Sequence, residues 1–150
     1  MYVKFDINKY SISSVLTYAG ALPFIFAAIL MYWDLERLPI IGDVQKMIDV
    51  YGLIIVVFLA GSYWGLSLNL HDKIRTALML ISNCLTLIAF FTFFWLISIP
   101  FQLILILLFL VLLLIDYWLY FLNLNSKDYV ILRLVVSIIV IPCLYVVYSS

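Results

Sequence analysis

Five runs of apolar residues, each about twenty residues long, dominate this sequence of 150 residues. A helix rises ~1.5 Å per residue, so a run of this length can cross a hydrocarbon core of ~30 Å. Backbone groups in lipid need partners within the protein, and the alternation of a barrel strand is absent, so each run is predicted to be a helix. We therefore expect an all-α, polytopic integral membrane protein, with one domain over residues 1–150 and five transmembrane helices in one bundle at about 14–32, 50–70, 75–97, 101–121 and 128–148.

The composition excludes several other classes of protein. Hydrophobic residues make up 68% of the chain and charged residues 11%, whereas soluble domains are about half apolar and a quarter charged. The net charge is zero, which gives no indication of a nucleic-acid partner. Cys84 and Cys143 each lie alone in an apolar run and are interpreted as packing residues. No metal or cofactor is predicted.

The connections between the runs are short except for the first, WDLERLPIIGDVQKMID at residues 33–49. Within it, Val44, Met47 and Ile48 have helical spacing. This spacing indicates either a turn of helix on the membrane surface or a second helix that starts early, capped by Asp43.

Basic residues are distributed unequally between the two ends of the predicted bundle. The end with the N-terminal tail has more of them, and the other end has two, beside four acidic residues. Cytoplasmic loops are enriched in Lys and Arg, so the N-terminus is predicted to be cytoplasmic and the C-terminus to lie across the membrane. The basic residues of the first end are Lys4, Lys9, Lys73, Arg75 and Lys127.

The second run ends in GSYWGLSLNLHDK, residues 61–73. Gly61 and Gly65 are four residues apart, a spacing that allows close contact between two helices. Tyr63 and Trp64 suit the membrane interface, where an amphipathic ring is stable. The alternative is a groove in which glycines form the floor and these rings the walls, and which admits a flat ligand or a lipid. His71 is the only histidine, so it is not interpreted as a metal ligand.

The first run contains a similar cluster of small residues, YAGALPFIFAA at 18–28. Pro23 is expected to bend this helix and to free a carbonyl upstream. Helices one and two are expected to pack through their small residues, with any cavity near the proline. The candidate ligand-binding residues are therefore Pro23, Gly61, Tyr63, Trp64 and Gly65.

Asp116 and Arg133 are charges that lie well inside predicted spans. One is six residues before Leu122 and the other six residues after Lys127, so both lie at similar depth in the last helical hairpin. Charges in a bilayer are costly and pair with one another. We predict a buried ion pair that fixes the register of the last two helices. The alternative is a polar site for a proton or a lipid headgroup.

Several short motifs carry a resemblance to a known family. They are Tyr51-Gly52 at the start of the second helix, Gly61-x-x-Trp64-Gly65 at its end, IDYWLY around Asp116 and LRL around Arg133. With them, the chain resembles a family of small five-helix membrane proteins of unknown function that includes the mitochondrial transmembrane protein 69. The resemblance implies a bacterial or mitochondrial inner-membrane protein and no established activity. Ser62-Tyr63 replaces the more usual glycine and histidine, so no histidine role is carried over.

No catalytic motif is visible in the sequence, so the protein is not expected to be an enzyme. The favoured interpretation is a non-catalytic accessory or assembly protein of a membrane complex. The alternative is a protein that binds or transports a small molecule or lipid between helices one and two. The expected partners are the lipid bilayer and either another membrane protein or a second copy of the chain.

Overall fold

The computed structural model describes residues 7–39, 42–95 and 99–150. Five segments in this part of the chain are long and apolar enough to cross a membrane, so the predicted all-α, polytopic fold is confirmed. The first segment consists of two helices, and the other four are single helices. Lys4, used above for the orientation, lies outside the described residues. The helices are α1 Ile7–Ala19, α2 Leu22–Tyr32, α3 Val44–Ser67, α4 Asp72–Trp95, α5 Phe101–Phe121 and α6 Lys127–Ser149.

The first membrane segment is interrupted between α1 and α2, at Gly20 and Ala21. We expected Pro23 to bend a continuous helix, but it lies in the first turn of α2, where the missing N–H has no helical acceptor to lose. The carbonyl oxygen of Gly20 accepts a hydrogen bond from the Tyr51 hydroxyl at 3.0 Å. The carbonyl oxygen of Gly20 is available for this contact with α3 because α1 ends at Ala19, and not because the proline interrupts a continuous helix.

A short hairpin, rather than a helix lying on the surface, joins the first two membrane segments. Strands β1 (Arg37–Leu38) and β2 (Gly42–Asp43) pair antiparallel. Gly42 has a φ of 81°, a left-handed conformation that glycine adopts without steric cost. Asp43 then caps α3, because its Oδ1 accepts a hydrogen bond from the Lys46 backbone N–H at 3.0 Å. The early start of the second helix is thus confirmed.

Small residues of the first two membrane segments lie in the core of the bundle. We expected helices one and two to pack through their small residues, and Ala27 of α2 and Ala60 of α3 are buried. However, α2 packs more extensively against α6 than against α3. Phe24 of α2 is buried and its ring contacts those of Tyr51 and Phe109. The close approach of two helices occurs at Gly52, where a Cβ atom would overlap the side chain of Leu105.

The outer surface of the bundle is largely apolar. Large side chains such as Phe58 of α3, Leu114 of α5 and Ile138 of α6 are exposed. Soluble monomers rarely expose contiguous apolar patches of such extent. In a bilayer these side chains contact lipid acyl chains, which fits a polytopic membrane protein.

Candidate ligand-binding cavity and buried ion pair

Asp116 of α5 and Arg133 of α6 form the ion pair that the hairpin geometry predicted. The Arg133 Nε atom donates a hydrogen bond to Asp116 Oδ2 at 2.8 Å. The two side chains are only 5% and 0% exposed, so the pair lies inside the bundle. Pairing lowers the cost of placing either charge in a bilayer. This contact joins α5 and α6 at one end of the bundle.

Tyr63 of α3 completes the environment of the carboxylate, although we expected it at the membrane interface. Its hydroxyl lies 3.0 Å from Asp116 Oδ1 and 3.0 Å from the carbonyl oxygen of Leu112. A buried tyrosine hydroxyl needs a partner, and Asp116 provides one at the same depth. One signal could have revealed this: Tyr63 continues the helical stripe of Val56 and Ala60, which is buried along its length.

The five candidate ligand-binding residues are not brought together. Gly61 and Gly65 lie on the outer face of α3, and no atom lies within 4 Å of where a Cβ atom would be. The close contact that we expected of these glycines is therefore not made with any other helix of the described residues. Trp64 is also exposed, Tyr63 is inside, and Pro23 is half-buried in α2.

A cavity of about 360 Å³ lies between α1, α2, α3, α5 and α6. Its mouth is marked by Leu16 and Phe58, which line it and are exposed on the outer face of the bundle. Phe24 and Phe109 line its inner wall. Arg133 also lines it, so the same side chain contributes to the ion pair and to the cavity. The cavity thus joins the lipid-facing surface to a buried charge.

The guanidinium group of Arg133 retains unused hydrogen-bonding capacity. Its Nη2 atom is buried and has no hydrogen-bond partner among the described residues. A buried donor without an acceptor costs about 1–3 kcal/mol. This atom has almost no accessible surface, so a molecule in the cavity would meet the other atoms of the Arg133 side chain. Sequence reasoning predicted the pair but not that arginine would also line a cavity.

Comparison with known families assigns this chain to a family whose function is unknown. The family described as "Protein of unknown function (DUF3429)" matches residues 11–149. The chain belongs to this family. No curated protein and no solved structure matches the chain. The resemblance to a membrane family of unknown function is confirmed in this respect, and the link to the mitochondrial transmembrane protein 69 stays a prediction.

This member of the family has a second group of polar side chains at the opposite end of the bundle. Asp49 lies inside α3, because this helix begins at Val44, directly after its cap Asp43. The Oδ1 atom of Asp49 is buried and has no hydrogen-bond partner in the described part of the chain, and Gln102 of α5 lies beside the carboxylate. Gln45 donates a hydrogen bond from Nε2 to the carbonyl oxygen of Val147 at 3.2 Å.

The histidine in the described part of the chain belongs to neither polar group. His71 is exposed in the connection between α3 and α4. It does not line the cavity and does not take part in the ion pair. The cavity and the Asp116–Arg133 pair are therefore the candidate site.

Proposed function

We propose that this protein is a non-catalytic membrane protein that binds an apolar small molecule taken from the bilayer. The cavity that opens at Leu16 and Phe58 and extends to Arg133 carries this proposal. Ligand sites in proteins typically have volumes of about 300–1,000 Å³, apolar walls and a few polar groups that fix orientation. A lateral mouth on the lipid-facing surface suits a molecule that is dissolved in the membrane.

The residues around the cavity support binding rather than catalysis. Acid–base catalysis needs a group that exchanges protons near the operating pH. Arg133 is the titratable residue among the described cavity-lining residues, and a guanidinium stays protonated in proteins. The polar residues Ser13, Thr17 and Ser137 also line the cavity, and the described residues that line it include no histidine and no carboxylate. We therefore propose that the chain is not an enzyme.

A cavity-blocking variant tests the binding function. Leu16→Trp places a large aromatic ring at the mouth. Leu107→Trp is its control, because Leu107 is 60% exposed, similar to the 66% of Leu16, but does not line the cavity. Each protein is purified from its own membranes in mild detergent, and the retained small molecules are extracted and identified by mass spectrometry. One molecule should be enriched at near-equal stoichiometry in the wild type and in Leu107→Trp, and lost from Leu16→Trp. Equal retention by all three proteins, or no enriched molecule, would refute the proposal.

We further propose that the N-terminal end faces the cytoplasm or matrix, in a bacterial or mitochondrial inner membrane. Lys73, Arg75 and Lys127 support this orientation, because they lie at the two connections on that end of the bundle. A reporter that is active only outside the cytoplasm, fused after Ser150, should be active in a bacterial host. The same reporter should be inactive when it is inserted in the connection that contains His71.

An accessory or assembly role is the second candidate function. The observation that favours it is the contrast between two notches in α3: Leu105 fills the space at Gly52, whereas the surface at Gly61 and Gly65 is open. A helix of another membrane protein could pack closely there. Gly61→Leu/Gly65→Leu should remove a stoichiometric partner from the purified protein, and Ala19→Leu, another substitution at an exposed small residue, should retain it. A partner retained by both variants would exclude this face as the contact.

A further inference from the structure

We infer that the ligand of the cavity is an uncharged molecule with a flat ring, and that a carbonyl oxygen on this ring accepts a hydrogen bond from the guanidinium group of Arg133, which lines the cavity. The inference rests on the proposed binding function and specifies its ligand class. It depends on three features: the charge balance around Arg133, the aromatic walls of the cavity and a second polar side chain on α6.

The charge balance favours a neutral ligand. Arg133 is paired with Asp116, and both oxygens of Asp116 are engaged, one by Arg133 and the other by Tyr63. The positive charge is therefore already compensated within the protein. A phosphate or carboxylate would bring an additional, uncompensated negative charge into a largely apolar space, which is costly. A neutral acceptor can take a hydrogen bond from the Arg133 guanidinium without this cost.

The walls of the cavity favour a flat ring. Phe24 and Phe109 meet edge to face, with ring centroids 5.8 Å apart and an interplanar angle of 85°. Phe58 adds a third ring at the mouth. Aromatic rings bind other rings by offset stacking or edge-to-face contact. An apolar tail on such a ligand could leave the cavity between Leu16 and Phe58 and remain in the lipid.

The polar side chains suggest how the ring is oriented. Ser137 is four residues after Arg133 in α6, so both lie on one face of the helix, and both line the cavity. Thr17 also lines it, but its hydroxyl donates to the Ser13 carbonyl oxygen at 2.8 Å. The Arg133 guanidinium and the Ser137 hydroxyl are thus the donors placed for a ring with carbonyl groups. A quinone has this chemistry, and so do other cyclic ketones.

The binding experiment compares three probes with the same protein. The wild type is placed in phosphatidylcholine nanodiscs, and binding is measured by native mass spectrometry with decylubiquinone, dioleoylglycerol or dioleoylphosphatidylglycerol. Decylubiquinone has ring carbonyls, dioleoylglycerol has ester carbonyls without a ring, and the third probe adds a phosphate charge. We expect decylubiquinone to bind up to about tenfold more tightly than dioleoylglycerol, because only decylubiquinone has a ring that can contact the aromatic side chains. It should also bind more tightly than dioleoylphosphatidylglycerol, whose negative charge the cavity does not compensate.

Two variants and one control locate the probe. Arg133→Lys keeps a cation beside Asp116 but removes the guanidinium group that lines the cavity, and it should weaken decylubiquinone binding about tenfold. Leu16→Trp should weaken binding by a similar factor without changing the ion pair. Leu107→Trp should bind like the wild type. Size-exclusion chromatography and circular dichroism establish that each protein is folded, and if Arg133→Lys does not fold, Leu16→Trp alone decides the location.

The outcomes separate the ligand class from the binding function. Tightest binding of phosphatidylglycerol, or of dioleoylglycerol, would overturn the inference of a neutral ring while leaving the cavity as a binding site. Decylubiquinone binding that is unchanged in Leu16→Trp would overturn the location. If none of the probes binds and the extraction of native membranes also yields no enriched molecule, the binding function itself fails.

Discussion

Two polar clusters join the same three helices at opposite ends of the bundle, and they do so by different chemistry. The charged cluster consists of Tyr63, Asp116 and Arg133, one each from α3, α5 and α6. The amide cluster consists of Gln45 and Asp49 of α3 and Gln102 of α5, with Gln45 bonded to the backbone of α6. The first contains a cation that balances its acid. Among the described residues, the amide cluster contains no cation that balances its acid.

This difference indicates which end sets the register of the helices. Removing one member of a buried ion pair leaves the other charge unpaired, which is strongly destabilising. The hydrogen bonds of amides in a membrane protein are weaker on average, because the unfolded state in the membrane also finds partners. We therefore expect the charged cluster to contribute more to the stability of the arrangement than the amide cluster.

The largest expected effect comes from breaking the charged cluster. Asp116→Asn leaves the buried Arg133 without its counter-charge and should lower the free energy of unfolding by about 3–5 kcal/mol. Thermal unfolding in mild detergent measures the change. The control is Glu36→Gln, which also replaces a carboxylate by an amide, but at an exposed position. Partial recovery in Asp116→Arg/Arg133→Asp would show that pairing is responsible. A loss as small as that of Glu36→Gln would contradict a structural role for the pair.

A smaller loss of stability is expected from a substitution at Gly52, which lies between the two clusters along α3. Gly52→Ala introduces a Cβ atom that overlaps Leu105, so α3 and α5 must separate or the leucine must move. Overpacking of this kind typically costs about 1–3 kcal/mol. Gly61→Ala, on the open face of the same helix, should change stability little. Equal unfolding midpoints for the two variants would show that α3 and α5 are not held at this distance.

Removing the hydroxyl of the charged cluster should have a more modest effect. Tyr63→Phe removes a hydrogen bond from Asp116 but preserves the ion pair, and should cost about 1 kcal/mol. Tyr117→Phe is the matched control, because Tyr117 is exposed. Chemical denaturation in detergent can resolve the two variants. No difference between them would mean that Tyr63 contributes packing alone.

The smallest effect is expected in the amide cluster. Asp49→Asn preserves the shape of the side chain and leaves no buried cation behind, so stability should change by less than about 0.5 kcal/mol. The comparison with Asp116→Asn in the same unfolding assay is the measurement. A loss similar to that of Asp116→Asn would indicate a cation bound at Asp49 and would remove the distinction between the two clusters.

The parts of the fold that depend on local composition were predictable from the sequence. The membrane segments follow from the length of the apolar runs. The pairing of Asp116 with Arg133 follows from their equal distances to one turn, which two connected helices must bring to the same depth. The cap at Asp43 also depends only on neighbouring residues.

The candidate site was less predictable because it depends on how distant helices pack. The motif Gly61-x-x-x-Gly65 suggested a helix contact, but the buried stripe of α3 runs through Gly52 and Ala60 instead. Both stripes contain small residues, so residue size alone could not distinguish them. The cavity arises where α1 leaves space beside α6, and no local pattern in either helix encodes that space.

The interruption at Gly20 divides the first membrane segment into an α1 arm and an α2 arm, which contact different parts of the protein. The α2 arm is part of the core through Phe24, and the Tyr51 hydroxyl fixes the joint itself. The α1 arm contributes Leu16 to the mouth of the cavity and meets the bundle chiefly along α6. A rotation of this arm about the joint would change the width of the mouth and leave the core in place. One membrane segment can therefore contribute to the fixed core of the bundle and also set the width of the opening to its cavity.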